Sequence, residues 1–240
     1  MKRKEIRIGS IVLFLVLLLP YIFAALYANP SGDDFAAMDD VINAGANTYL
    51  GKVLFCVADL YRTWQGTYFG GFCAYIGSGV FDKFGLFGIH LEYVITICLY
   101  FSVFFLFIRE LLNCVLNNNT TVISLIISSI LLFVILYDSN VSDLFYWHSG
   151  LSIYTIPITC GLAALIFLMD NKLGVWRIVF AAILAFLCSG GALNVSAFIC
   201  LLSLLVLAYR VYTKKRVFDS IIVFGTALMG AIINVLAPGN

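Results

Sequence analysis

Charge is scarce in this chain. Of 240 residues only 11% are charged and 62% are hydrophobic, against roughly a quarter charged in soluble domains. That balance excludes an ordinary soluble helical domain, whose helices each need a polar face. Histidine is nearly missing, with His90 and His148 alone, and no HxxxH or HExxH spacing marks a dedicated zinc site. The seven cysteines, Cys56, Cys73, Cys98, Cys114, Cys160, Cys188 and Cys200, contain no CxxC pair, so an odd, scattered set argues against a disulfide framework. Cys56 with Cys73 is the one conceivable bridge, because the others lie in apolar runs where a thiol acts as a small hydrophobe. A Walker A loop, a GxSxG elbow and a Rossmann fingerprint are all lacking. So is a basic stripe interleaved with aromatics, and nucleic acid is not an expected partner.

What the chain has instead is long apolar runs. After the basic start Lys2-Arg3-Lys4-Glu5-Ile6-Arg7, residues 8–28 carry no charge and exceed the apolar core of a cleaved signal peptide, which is about 7 to 15 residues. They are read as an uncleaved first span. Residues 29–88 regain charge and glycine. Within them Phe35, Met38, Val41 and Ile42 recur at helical spacing opposite Asp39, Asp40 and Asn43, with Gly45 as a stop. A second amphipathic helix is expected over 48–64, and Gly66, Gly70, Ala74 and Ser78 give residues 67–81 a small-residue face for close helix approach. Further spans are expected at 89–108, 121–137, 151–169, 175–188, 195–209 and 218–236. The expected fold class is all-α: one polytopic membrane domain over 1–240, with a first span at 8–28, an external juxtamembrane segment at 29–88 and the remaining spans at 89–237, about seven in all.

Charge asymmetry predicts the orientation. Eleven basic residues, Lys2, Arg3, Lys4, Arg7, Arg109, Lys172, Arg177, Arg210, Lys214, Lys215 and Arg216, fall on one side of these spans, and only Lys52, Arg62 and Lys83 fall on the other. The positive-inside rule puts the N-terminus in the cytoplasm and the acidic segments outside the cell membrane.

Four features converge on that outer side. Asp33-Asp34 follows the first span; one aspartate suits a helix cap, while a pair also suits a general base with a neighbour that holds a metal or a cation. Trp64, Tyr68 and Phe69 are ordinary interfacial anchors, or rings that stack on a sugar or line a lipid groove. The segment from Asp138 to Tyr154 holds Asp143, Tyr146, Trp147, His148 and Ser149, where His148 reads either as an interfacial hydrogen-bonding residue or as a proton carrier. Asn234-Val235-Leu236-Ala237-Pro238-Gly239-Asn240 is a turn signal where the last run exits. Ionisable groups lie near span ends rather than in mid-bilayer, which argues against an ion pump.

The Pro30-Ser31-Gly32-Asp33-Asp34-Phe35 corner, Trp64-x-Gly66-x-Tyr68-Phe69, Tyr146-Trp147-x-Ser149-Gly150 with Tyr154, and Leu236-Ala237-Pro238-Gly239-Asn240, in this order, resemble the GT-C class of integral-membrane glycosyltransferases, within it a bacterial multi-pass family of unassigned specificity. The resemblance implies an N-terminal seven-span module of an inverting enzyme that moves a sugar from a polyprenyl-phosphate carrier to a glycan or lipid acceptor. It implies Asp33 as general base, with Asp34 its acidic neighbour and candidate ligand of a divalent metal, Mg or Mn. Trp64, Tyr68, Arg62, Trp147, His148 and Tyr154 are then the candidate substrate-binding residues, with membrane lipid and a partner subunit as further partners. The alternative is a non-catalytic membrane subunit or lipid-binding transport component of envelope glycan assembly.

Overall fold

The computed structural model describes residues 3–116, 120–138, 140–169 and 174–240. Lys2 and Lys172, and the side chains of Arg3 and Lys4, lie outside the described residues. Among the described residues every regular element is helical.

Helix α1 (Arg3–Ala25) carries the first apolar run. It stops before Asn29-Pro30, where proline has no N–H to continue a helix and pushes its predecessor toward extended backbone. Ser31 then starts α2 (Gly32–Asn43), and Asp34 reaches back to accept the Ser31 N–H at 2.8 Å, as in a capping box. Helix α3 (Tyr49–Thr63) opens on Thr48, whose hydroxyl oxygen accepts the Gly51 N–H at 3.1 Å. The two juxtamembrane helices run along the expected segments and pack through Val41, Val53, Cys56 and Tyr75. Cys56 and Cys73 are free thiols.

Helix α4 (Tyr68–Leu116) is two helices joined at Gly85, where φ is +58° and ψ −147°, a conformation nearly restricted to glycine. Its first part bears the small-residue face. A Cβ at Gly70 would come within 3.0 Å of the Ile153 Cα, and one at Gly77 within 2.2 Å of the His148 ring. Closeness of that kind is how helices associate where lipid supplies no hydrophobic drive.

The chain continues through α5 (Thr121–Ile135), the short α6 (Val141–Phe145), α7 (His148–Met169), α8 (Val175–Cys188), α9 (Leu193–Tyr212) and α10 (Phe218–Val235). Residues Leu151–Thr155 of α7 form a π-helical turn. There the Ile153 carbonyl accepts the Ala192 N–H at 3.1 Å, so the wider turn holds the start of α9 in place. Five of the helices, Glu5–Ala25, Tyr68–Leu116, His148–Met169, Leu193–Tyr212 and Phe218–Val235, are long and apolar enough to cross a membrane, and Thr121–Ile135 and Val175–Cys188 are shorter apolar helices. The protein is a multi-pass, membrane-embedded helical bundle.

Two apolar clusters make its core. Tyr21, Tyr93, Phe101, Leu132 and Phe145 join α1, α4, α5 and α6, with the Tyr21 hydroxyl donating to the Leu132 carbonyl at 2.7 Å. Leu165, Ala181, Ala185, Ile199, Val223 and Ala227 join α7 to α10, with the Ser189 hydroxyl donating to the Ala227 carbonyl at 2.9 Å. Helices α2 and α3 cover one end of the bundle. The opposite end carries Arg210, which reaches the Leu168 carbonyl and Asp219.

Candidate functional site

Helix α2 turns one stripe toward a hollow. Asp33, Ala36, Ala37 and Asp40 are spaced i, i+3, i+4 and i+7, which puts them on a single helical face, and all four line a cavity of about 570 Å³. The two alanines leave room between the two carboxylates. Opposite stand Trp147, Ser149, Ile153 and Tyr154 from the start of α7, and Trp64, Gln65 and Thr67 from the link between α3 and α4. Asn194, Asn234 and Asn240 complete the wall. The described lining contains two carboxylates and no Lys, Arg or His.

The final turn is folded into this wall rather than away from it. The Asn240 amide donates to the Asn234 carbonyl at 2.6 Å and its Oδ1 accepts the Gly66 N–H at 3.1 Å, while the Gly239 N–H donates to the Tyr61 carbonyl at 3.3 Å. A Cβ at Gly66 would stand 1.9 Å from the Asn234 carbonyl oxygen, so glycine is required for this approach. Asn234 is fully buried and donates from Nδ2 to the Ser189 and Gly191 carbonyls at 2.9 and 2.7 Å. Three lining residues carry a buried polar atom without a hydrogen-bond partner: Thr67 Oγ1, Trp147 Nε1 and Asn234 Oδ1. Buried groups left unmatched are uncommon and mark places where a ligand or water completes the set.

Asp40 is raised from its ordinary value, first because the cavity wall takes part of its hydration and so disfavours its charge although the residue is exposed, and then because Asp39 and Asp59 add repulsion; the Tyr75 hydroxyl pulls the other way without reversing the shift.

The nominated residues separate into two groups. Asp33, Trp64, Trp147 and Tyr154 line the one cavity. Asp34 does not. It is 3% exposed, its Oδ1 accepting the Ser149 N–H and hydroxyl at 2.9 and 2.7 Å and its Oδ2 the Ser31 N–H at 2.8 Å. Asp34 thus pins α2 to the start of α7. His148 is likewise buried, with Nε2 donating to the Ala74 carbonyl at 3.0 Å and Nδ1 3.1 Å from Glu92 Oε2. Tyr68 donates its hydroxyl to the Phe186 carbonyl at 2.7 Å and packs its ring on Phe186. Arg62 is exposed and outside the lining.

A divalent metal does not suit the donors present. Asp34 has both oxygens engaged by N–H and O–H donors, and among the described residues no group of three His, Cys, Asp or Glu side chains gathers for an ion. Asp40, Gln65 and Asn194 belong to the cavity although none was nominated as a site residue, and Asn234 and Asn240 belong to it from the stretch read only as a turn. For Asp40 the signal was its spacing from Asp33 across two small residues. No protein-family model, no curated protein and no solved structure matches the chain.

Proposed function

We propose that the cavity binds a saccharide and that the protein is a GT-C-like glycosyltransferase, moving a sugar from a polyprenyl-phosphate carrier to a glycan or lipid acceptor. One observation carries the reading: Asp33 and Asp40 share a single cavity with Trp64, Trp147, Tyr154 and three asparagines. Aromatic faces and forked amides are the groups that pair with a hydroxyl-bearing ring. In this reading Asp33 takes the proton of the acceptor hydroxyl as its oxygen attacks the anomeric carbon. The bond from that carbon to the phosphate oxygen breaks, and the phosphate keeps the electron pair on its prenyl carrier. A single displacement inverts the anomeric centre.

Topology belongs to the same proposal. The five long and two shorter apolar helices make seven crossings, with the N-terminus cytoplasmic and the cavity at the outer face of the cell membrane. Its support is that Arg109, Arg177, Arg210, Lys214, Lys215 and Arg216 all fall at helix ends remote from the cavity-lining ends in this threading. A phosphate is repelled by a lining of two carboxylates, so only the sugar enters and the phosphate stays at the rim on the Arg62 side, two residues before Trp64.

The uncompensated lining also favours a second reading, a non-catalytic saccharide-binding subunit, since a phosphate leaving group wants a cation beside it. The test uses the protein in vesicles with labelled polyprenyl-phosphate hexoses and an acceptor glycan. Asp33→Asn is expected to lower transfer by about 10²- to 10⁴-fold while sugar retention is unchanged. Undiminished transfer removes Asp33 from the mechanism, and retention without any transfer by the unaltered protein selects the subunit.

A further inference from the structure

A second hollow, of about 290 Å³, lies at the bundle end remote from the cavity. Its walls are apolar side chains of three membrane-embedded helices, among them Phe107 and Leu111 of α4, Leu165 of α7, and Leu202 and Val206 of α9. At one end the lining changes to Tyr209, Arg210 and Lys215.

The basic pair does not act as a pair. Arg210 is buried and committed inside the protein: its guanidinium donates to the Leu168 carbonyl and to the Arg216 carbonyl at 3.3 Å, and lies 3.8 Å from Asp219. Arg216 takes the other Asp219 oxygen at 3.1 Å. Lys215 is exposed and has no carboxylate partner among the described residues. The chain goes to some expense to put it there. After α9, Lys214 sits at φ +54°, a left-handed conformation that disfavours side chains. The turn is closed by the Lys215 N–H donating to the Arg210 carbonyl at 2.9 Å, and Lys215 Nζ stands 5.5 Å from the Tyr209 ring centroid. An apolar trough therefore ends at a cation whose charge no carboxylate among the described residues pairs with.

We propose that this groove holds an anionic glycerophospholipid, one acyl chain against the apolar wall and the phosphate at Lys215. Charge complementarity selects this occupant over a zwitterionic lipid, since Asp219 is already shared by two arginines. The site is separate from the saccharide cavity and stands whether or not that reading holds.

The experiment incorporates the full chain into vesicles of equimolar phosphatidylcholine and phosphatidylglycerol, extracts it in mild detergent and reads retained lipid by native mass spectrometry. The unaltered protein is expected to retain phosphatidylglycerol about fivefold over phosphatidylcholine, the preference that one lysine near a surface supplies. Lys215→Glu removes that preference without shifting the thermal unfolding midpoint, because the side chain is exposed. Val206→Trp fills the trough and lowers retention of both lipids. Equal retention of the two lipids by the unaltered protein overturns the site, as does a preference that survives Lys215→Glu or a second copy of the chain retained in place of lipid. Lys215→Glu decides the question by itself where Val206→Trp does not fold.

Discussion

Asp34 and Asp219 are buried to the same degree, 3% and 2% exposed, at opposite ends of the bundle, and each is held by a different kind of partner. Asp34 accepts from neutral donors among the described residues, the N–H and hydroxyl of Ser31 and the N–H and hydroxyl of Ser149. Asp219 stands between the guanidinium groups of Arg210 and Arg216. Helix α9 connects the two ends. Asn194 lines the cavity beside Asp33 and Arg210 lies 16 residues further on, about 24 Å along the axis. The contrast shows how one bundle keeps one end electrostatically open and the other closed. Pinning α2 with N–H and O–H groups places no cation beside Asp33 and Asp40, so their charge is directed into the cavity. Two arginines around Asp219 instead make a clamp, and Lys215 keeps no carboxylate partner among the described residues.

The largest expected effect breaks the clamp. Asp219→Ala leaves Arg210 buried without its counter-charge and is expected to cost about 3–5 kcal/mol, read as a lower denaturant midpoint in detergent micelles. A loss under 1 kcal/mol, roughly what an exposed pair contributes, would show that the two ends are not held differently. Next comes the neutral lock. Asp34→Asn replaces an acceptor by an amide N–H₂ facing other donors and is expected to cost about 1.5–3 kcal/mol. Its neighbour supplies the control: Asp33→Asn, at an exposed position, should stay within about 0.5 kcal/mol of the unaltered protein. Equal losses at the two positions would erase the distinction between pin and cavity residue.

The smallest effect depends on pH. The Asp40 carboxyl is shifted upward, by lost hydration first and by Asp39 and Asp59 after it. A raised carboxyl contributes stability that is full below its ordinary value and lost as pH rises through the folded value. Stability of the unaltered protein relative to Asp40→Asn should therefore decline as pH climbs from the ordinary carboxylate range toward neutrality. Paired denaturation series check this, and a difference that does not change with pH would mean that Asp40 feels no more burial or repulsion folded than unfolded.

Much of the helix layout could be read from local signals. Residues 175–188 were expected as one apolar helix and α8 (Val175–Cys188) has the same bounds, because an apolar run whose one charge, Arg177, lies in its first turn, with Gly174 before it and Ser189-Gly190 after it, has few other choices. Ser31, Thr48 and Gly45 mark helix ends by capping and turn chemistry that acts within a few residues. Other ends moved. The expected span at 151–169 begins three residues earlier, at His148, because the Asp34 carboxylate captures the Ser149 N–H and so serves as a cap from a distant helix. The Gly85 break divides α4 where glycine permits a positive φ, while hydropathy alone separated its two parts without showing that they form one continuous path.

The site was less legible for a physical reason. Asp33 and Asp34 are identical side chains one position apart, and adjacent helical residues point about 100° from one another, so only the partners of α2 decide which faces the hollow. Trp64 from the α3–α4 link and Trp147 and Tyr154 from the start of α7 reach the same cavity as Asp33, whereas Tyr68 and His148, from the same motifs, turn to the Phe186 and Ala74 carbonyls. Asn234 and Asn240 looked like a plain turn, and their part in the wall depends on Gly66 giving way to the Asn234 carbonyl.

By itself the sequence determined that this is an all-helical, membrane-embedded chain with amphipathic helices after its first apolar run, since hydropathy, charge and capping act over a few residues and leave little choice in lipid. Only the tertiary structure decided that Asp34 is a pin and Asp33 a cavity residue, that Asp40 and three asparagines join it, and that Lys215 ends an apolar groove. Those outcomes rest on contacts between residues up to 174 positions apart, such as Gly66 with Asn240, and on which of several equivalent polar groups finds its hydrogen-bond partner first satisfied within the protein.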